Sequence, residues 1–249
     1  MTSAQGQNRH IALVTIGQSP RPDVISGLEM TEKSGVILAG ALDGLTSLDV
    51  QAMAWQPTDP ALPLFTWFEG DVVVLNKHLL SKRVAETVSK VSDGAAAVSV
   101  LCTESFPEIE VRRPSVMLRM DQLLFHTVNG LLAGRSRPRL GVLVPVEGQV
   151  VPGETRWSLA AEARAVCLPP RSVDETIQGV CKKLADLLDG EPDAIVLDCM
   201  GYGARERGKC EAYFGCPVVW PMELLKMQIH QYLHVTKKGG RIDGRSDPI

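Results

Sequence analysis

Two cysteines stand at corresponding points of two similar stretches of the chain. Cys102 lies in the segment AVSVLCTES (residues 97–105), and Cys199 lies in AIVLDCMGY (residues 194–202). Each follows an uninterrupted apolar run, which is typical of a strand buried in a parallel sheet. Ligands of such sheets bind at the carboxyl ends of the strands. We therefore expect the two thiols to face each other across one cleft.

Two opposed thiols suit proton transfer at a carbon atom next to a carboxylate. One thiolate removes a proton from that carbon, and the opposite thiol returns a proton on the other face. This two-base racemisation or epimerisation requires no cofactor, and we expect none. A free thiol titrates near about pH 8.5, so one cysteine needs electropositive surroundings to ionise at neutral pH. Backbone N–H groups at the start of the following helix can supply them.

Polar loops after the strands are the expected place for the substrate carboxylate. Backbone N–H groups and hydroxyls there can hold an anion. The expected substrate-binding residues are Gly17, Gln18, Ser19, Arg21, Thr103, Glu104, Ser105, Pro145, Glu147, Gln149, Met200, Gly201 and Tyr202. No metal site is expected, because Cys199, Cys210 and Cys216 lack the close ligand pairs of zinc sites.

The order of elements repeats along the chain. IALVTIGQSPR (11–21) matches LGVLVPVEGQ (140–149), and RPSVMLRMDQLL (113–124) matches CPVVWPMELLK (216–226). The repeat predicts an α/β fold with two pseudo-symmetric, Rossmann-like domains, each with a parallel sheet, around an interdomain cleft. The expected first domain comprises residues 8–135 plus 218–249, and the second comprises 136–217. Helices after Ser115 and Pro221 would cross between them. A hairpin is predicted in the larger first half, with Glu69-Gly70 as its turn.

Composition excludes several classes of partner. The 249 residues carry 26 Lys+Arg against 29 Asp+Glu, a formal net charge of −3. This balance gives no electrostatic reason to bind nucleic acid or an anionic membrane. No apolar run approaches the ~20 residues of a membrane span. The polar start, MTSAQGQNRH, lacks the apolar core of a signal peptide, so a cytoplasmic location is expected.

Three motifs connect the chain with known families. A strand-end Cys-Thr pair such as Cys102-Thr103 resembles the aspartate/glutamate/hydantoin racemase superfamily, which often has Cys-Thr-His where this chain has Cys199, Met200 and Gly201. Within that superfamily, TIGQSPRPDV (15–24), GVLVPVE (141–147) and VLDCMGY (196–202) followed by ARER (204–207) resemble the AroM family over roughly residues 10–234. The resemblance implies the two-domain fold and, because dimers are common in the superfamily, a homodimer.

Three functions remain open at this point. The first is a racemase or epimerase acting on a small carboxylate through Cys102 and Cys199. The second is a decarboxylase or cis–trans isomerase in which one cysteine acts alone. The third is a non-catalytic metabolite-binding protein, suggested by Met200 and by the missing histidine.

Overall fold

Two parallel four-stranded sheets form the centre of the protein. The computed structural model describes residues 10–30 and 35–238. The first sheet has the order β2-β1-β5-β6, and its strands are β1 (His10–Thr15), β2 (Val36–Gly40), β5 (Ala95–Leu101) and β6 (Val116–Leu118). The second has the order β10-β9-β7-β8, with β7 (Arg139–Val144), β8 (Glu162–Cys167), β9 (Ala194–Leu197) and β10 (Val218–Val219). Counted along the chain within each sheet, both have the strand order 2-1-3-4.

The central strands are apolar because helices cover both of their faces. All residues of β5 and β9 are buried. Helices surround the sheets at α1 (Pro22–Gly27), α2 (Ser47–Gln51), α3 (Lys77–Val91), α4 (Met120–Leu132), α5 (Val150–Trp157), α6 (Asp174–Leu187), α7 (Ala204–Phe214) and α8 (Pro221–Lys238), with a 3₁₀ turn at Glu147–Gln149. None of the helices in the described residues is both long and apolar enough to cross a membrane. The α/β class with parallel sheets is confirmed.

Two helices pack against the sheet that they do not follow. Helix α4 follows β6 of the first sheet, but Leu124 and Val128 pack with β7 and β9 of the second. Helix α8 follows β10 of the second sheet, and its Leu225 and Ile229 share a core with Ile11 and other residues of the first. Each of these two helices thus contacts strands of the sheet that it does not follow.

One expected boundary does not fit the sheets. Val218 and Val219 were assigned to the first domain, whereas the structure pairs them with Ile195 and Val196 of β9 in the second sheet. A crossing back to the first sheet therefore has to begin after this strand, at helix α8. Residues 8–9, 31–34 and 239–249 of the expected first domain lie outside the described residues.

A two-stranded hairpin is added to the first half. Strands β3 (Pro63–Phe68) and β4 (Asp71–Asn76) pair in antiparallel fashion around Glu69 and Gly70. Both turn residues have positive φ, 50° and 89°, which is the backbone of a tight two-residue hairpin turn. The predicted hairpin and its turn are confirmed.

The hairpin lies directly on the loop that follows β1. The Gln18 N–H donates to the Trp67 carbonyl at 3.1 Å, and the Glu69 N–H donates to Gln18 Oε1 at 2.9 Å. Gly17 makes this approach feasible, because a Cβ atom there would lie 2.6 Å from the Trp67 carbonyl oxygen.

Replacing Gly17 by alanine is expected to push the hairpin away from this loop. The added methyl group would clash with the Trp67 backbone, which cannot move without displacing the hairpin. We therefore expect a loss of about 1–3 kcal/mol in the free energy of unfolding. Urea denaturation measures this loss. As a matched control, Gly179→Ala in α6 adds a methyl group with no atom within 4 Å and should stabilise the helix by about 0.5–1 kcal/mol. Equal stabilities for the two variants would contradict this packing.

Candidate functional site

Both cysteines line one narrow cavity between the two sheets. Cys102 directly follows β5, and Cys199 stands two residues beyond the end of β9. The cavity has a volume of about 30 Å³, which is the space of a water molecule rather than of a metabolite. The structure thus brings the two predicted catalytic residues to the same site, in a closed arrangement.

Hydrogen bonds between the two strand ends set this arrangement. The Thr103 hydroxyl donates to the backbone carbonyl of Asp198 at 3.1 Å. Arg156, near the end of α5, donates from Nη1 to the Thr103 carbonyl at 3.0 Å and from Nη2 to Asp198 Oδ2. Trp157 Nε1 donates to the same Oδ2 at 2.8 Å. The residues beside each thiol are therefore tied to one another across the cavity.

Four charged side chains are arranged beside the thiols. The Glu104 carboxylate forms ion pairs with Lys77 Nζ at 3.5 Å and with Arg156 Nη1 at 3.4 Å. The Asp198 carboxylate forms an ion pair with Arg156. Burial raises the pKa of the Glu104 carboxyl, and the charges of Arg156 and Lys77 act in the opposite direction. Two acids and two bases make the cluster neutral, which limits the cost of burying it.

Burial keeps the thiols of Cys102 and Cys199 protonated in this structure at neutral pH. It raises the pKa of the Cys102 thiol well above its usual range, and the Glu104 charge raises it further. It raises the pKa of Cys199 to about 12; the Gly201 N–H, 3.3 Å from Sγ, and the Arg21 charge oppose this rise, while Asp198 adds to it. The expected electropositive help is present, but desolvation outweighs it.

Arg21 supplies a buried cation to the cavity wall. Its side chain donates Nε and Nη2 to Asp23, at 2.8 and 2.7 Å, and Nη1 to Thr15 Oγ1 at 3.2 Å. Its guanidinium lies 4.5 Å from the centre of the Trp67 ring. A guanidinium held in this way is suited to a planar carboxylate.

The hairpin covers the cavity. Leu64, Phe65, Thr66 and Trp67 of β3 all line it. The guanidinium of Arg171, from the loop after β8, lies 4.6 Å from the same Trp67 ring and pairs with Asp23 at 3.3 Å. A second cavity of about 450 Å³, lined in part by Arg171, Met200 and Gly201, adjoins the first. The Trp67 stack thus stands between the small inner cavity and the larger outer one.

Several of the expected binding residues do line the inner cavity with the cysteines. They are Arg21, Thr103, Glu104, Pro145, Gln149, Met200 and Gly201. Gln149 has a structural partner as well, because its Nε2 donates to the Pro63 carbonyl at the start of β3 at 2.7 Å.

The structure does not bring the other six to this cavity. Gly17 and Gln18 hold the hairpin, and Ser19 donates to Asp43 Oδ2 at 2.7 Å. Tyr202 is buried with its hydroxyl on the Leu168 carbonyl at 2.7 Å. Ser105 lines a separate surface groove, and Glu147 is exposed in the 3₁₀ turn. Tyr202 instead lines the second, larger cavity. Sequence position alone does not distinguish such places from contacts with a ligand in the inner cavity.

Sequence reasoning missed three contributions to the site. Thr15 lines it from the end of β1, and Arg156 holds Asp198 and Glu104 from a helix distant in sequence. Trp67 lines it from strand β3. The two apolar runs on either side of Glu69-Gly70 indicated a hairpin, but no sequence signal showed what the hairpin covers. Among the described residues no group of three His, Cys, Asp or Glu side chains is placed to hold a metal ion.

Comparison with solved structures shows the same fold in two kinds of enzyme. The glutamate racemase from Francisella tularensis subsp. tularensis SCHU S4, in complex with D-glutamate, has a TM-score of 0.56 at 13% identity, covering 92% of this chain and 82% of that one. The RacE1 isoform of glutamate racemase from Bacillus anthracis has a TM-score of 0.55 at 11% identity, covering 93% and 83%. An arylmalonate decarboxylase has a TM-score of 0.51 at 13% identity, covering 95% and 96%.

The family is defined by a sequence model. The model described as AroM protein matches residues 11–232. The chain therefore belongs to the AroM family. A comparison with curated protein sequences gives no significant match.

The raised thiol pKa values predict a specific loss of stability in alkali. Above about pH 8.5 the Cys199 thiol ionises in the unfolded chain but stays protonated in the folded one, until the pH approaches about 12. Rising pH therefore favours unfolding over this range, by about 1 kcal/mol per pH unit for each such thiol. The Cys199→Ser variant should lose stability less steeply than the wild type between pH 9 and 10.5.

Urea unfolding at a series of pH values makes this comparison. Below about pH 8 the thiol is protonated in both states, so the difference between variant and wild type should be constant there. Curves that stay parallel above pH 9 would show that the folded thiol ionises normally.

Proposed function

We propose that this protein is a cofactor-independent racemase or epimerase-like enzyme that acts on a small carboxylate-bearing substrate. The observation that carries the proposal is the placement of Cys102 and Cys199. They follow the third strand of each of two sheets with the same strand order, and they line one cavity. We infer that a pseudo-twofold axis relates the two lobes, the first being residues 8–135 plus the chain from α8 onward, and that it sets the thiols on opposite faces of the substrate.

The proton transfers balance within this pair. One sulfur, as thiolate, takes the proton from the substrate carbon, so that a C–H bond breaks and an S–H bond forms. The opposite thiol then gives its proton to the other face of the same carbon, and the two sulfurs exchange protonation states. Arg21 and Thr15 hold the substrate carboxylate, and the negative charge that develops beside it is stabilised by the guanidinium.

Substrate binding has to change the electrostatics of the closed site before the reaction can start. Both thiols are protonated in the closed cavity, so one proton must leave. The Gly201 N–H already donates to the Cys199 sulfur, and the Arg21 charge lies near enough to favour its thiolate. Cys199 is therefore the thiol that we assign as the base in the first half-reaction.

The substrate also needs room, and the hairpin has to move to provide it. The inner cavity holds about 30 Å³, less than any carbon acid with a carboxylate requires. Separation of Trp67 from Arg171 would join this space to the outer cavity of about 450 Å³.

The raised thiol pKa values favour a second candidate, decarboxylation. Loss of CO₂ from a substituted malonate leaves the electron pair on carbon, and a single protonated thiol then supplies the proton. A thiol with a high pKa suits this role without prior ionisation. An arylmalonate decarboxylase shares the fold, which is compatible with this chemistry.

Deuterium exchange tests the first proposal. Small 2-substituted carboxylates incubated with the protein in D₂O should lose the NMR signal of the hydrogen on the carbon next to the carboxylate. Cys102→Ser and Cys199→Ser should each lower the exchange rate by about 10²- to 10⁴-fold, because each removes one acid/base group. The matched control is Cys167→Ser at the end of β8, a half-buried thiol outside the cavity lining.

The same variants separate the alternatives. Wild-type exchange rates in both cysteine variants would contradict the two-thiol mechanism. CO₂ release from 2-substituted malonates that depends on one cysteine alone would favour the decarboxylase. Binding of carboxylates without either reaction would identify a metabolite-binding protein.

A further inference from the structure

Asp198 has an oxygen atom that the fold leaves without a partner. The residue is 5% exposed and lines the inner cavity. Its Oδ2 accepts hydrogen bonds from Arg156 Nη2 and Trp157 Nε1. Its Oδ1 is buried, and among the described residues it is the only such side-chain nitrogen or oxygen without a hydrogen-bond partner.

The orientation of this carboxylate is fixed by its neighbours. Two donors, the Arg156 guanidinium and the Trp157 indole N–H, bind Oδ2. A rotation that brought Oδ1 toward these donors would break their bonds to Oδ2. A buried carboxylate oxygen without a donor is costly, and nearly all buried polar atoms in folded proteins are satisfied. An unpaired acceptor on a residue that lines the cavity is therefore suited to a donor brought by a ligand.

Arg21 and Thr15 provide hydrogen-bond donors in the same cavity. The Arg21 guanidinium has five N–H groups, and its bonds to Asp23 and Thr15 use three of them. Thr15 Oγ1 accepts from Arg21 and from the Gly17 N–H at 3.2 Å, so its own hydrogen remains available to donate. The cavity thus offers donors for a carboxylate and, at Asp198, an acceptor for a donor group.

We propose that Asp198 determines substrate class, by accepting a hydrogen bond from a hydroxyl or ammonium group on the carbon next to the substrate carboxylate. The substrates are then small 2-hydroxy or 2-amino acids, in preference to acids with an apolar substituent. This assignment rests on the proposed function for the place of the reacting carbon, but the binding preference can be measured without turnover. A hydroxyl and an ammonium share the donor chemistry, and the experiment distinguishes them.

Three acids of nearly equal size test the preference. Isothermal titration of the purified protein with lactate, alanine and propanoate compares a hydroxyl, an ammonium and no donor. At least one donor-bearing acid should bind about tenfold or more tightly than propanoate, because a hydrogen bond to a charged group is gained. Tighter binding of lactate alone assigns a hydroxyl substrate, and tighter binding of alanine alone assigns an ammonium substrate. Equal affinity of propanoate, or no binding of either donor-bearing acid, would overturn the proposal.

The Asp198→Asn variant tests the residue itself. Its amide oxygen can keep the bonds from Arg156 and Trp157, which places an NH₂ group where Oδ1 was and turns the acceptor into a donor. The preference for the donor-bearing acid over propanoate should disappear, while propanoate affinity changes little. Asp174→Asn, which alters an exposed carboxylate of α6 paired with Arg205 and Lys209, should keep the preference. An unchanged preference in Asp198→Asn would overturn the assignment, and circular dichroism verifies that both variants fold.

Failure of this proposal and failure of the proposed function give different results. A preference for donor-bearing acids without deuterium exchange would retain Asp198 as the specificity residue and reject the racemase. Deuterium exchange on acids without a donor on the carbon next to the carboxylate would support the racemase and reject Asp198 as the specificity residue. If Asp198→Asn does not fold, the comparison of the three acids on the wild-type protein still decides the proposal.

Discussion

The geometry of the candidate site depends on the hydrogen bonds that join the two strand ends. Thr103 binds the Asp198 backbone, and Arg156 reaches Thr103, Glu104 and Asp198 together. The Thr103 bond joins the residues next to the two cysteines directly, and Arg156 of helix α5 binds both of them, so the relative position of the two thiols is fixed by partners other than themselves. Loss of Arg156 would leave the buried Asp198 carboxylate without its counter-charge and the half-buried Glu104 with Lys77 alone, which is a strongly destabilising change.

The same closure that fixes the thiols also suppresses their ionisation. Desolvation is the largest influence on the pKa of both cysteines, and the local N–H donors and the Arg21 charge are too weak to offset it. A desolvated site strengthens every electrostatic interaction inside it, but it stabilises the neutral form of an isolated thiol. Under the proposed function, formation of a thiolate would therefore depend on the charges that a substrate brings into the cavity.

The strands and the cysteine positions were predictable because they follow from local patterns. Continuous apolar runs are diagnostic of buried parallel strands, and the repeat aligns Cys102 with Cys199 without any structure. The turn at Glu69-Gly70 likewise follows from residue type. By contrast, Gln18 and Ser19 have the polarity of ligand contacts, yet they bind the hairpin and Asp43. Arg156 is separated by more than 40 residues from each of its acidic partners. Contacts of this kind arise only when distant segments meet, so no periodicity or spacing reveals them.

The exchange of helices α4 and α8 has a consequence for how the chain folds. The core of each sheet is completed by a helix encoded after the last strand of the other, so neither half is a self-sufficient folding unit. During synthesis the first sheet lacks Leu225 and Ile229 until nearly the whole chain has emerged. We therefore expect the two sheets to assemble in a single cooperative event, and a chain cut between them to yield two pieces that each expose an apolar face.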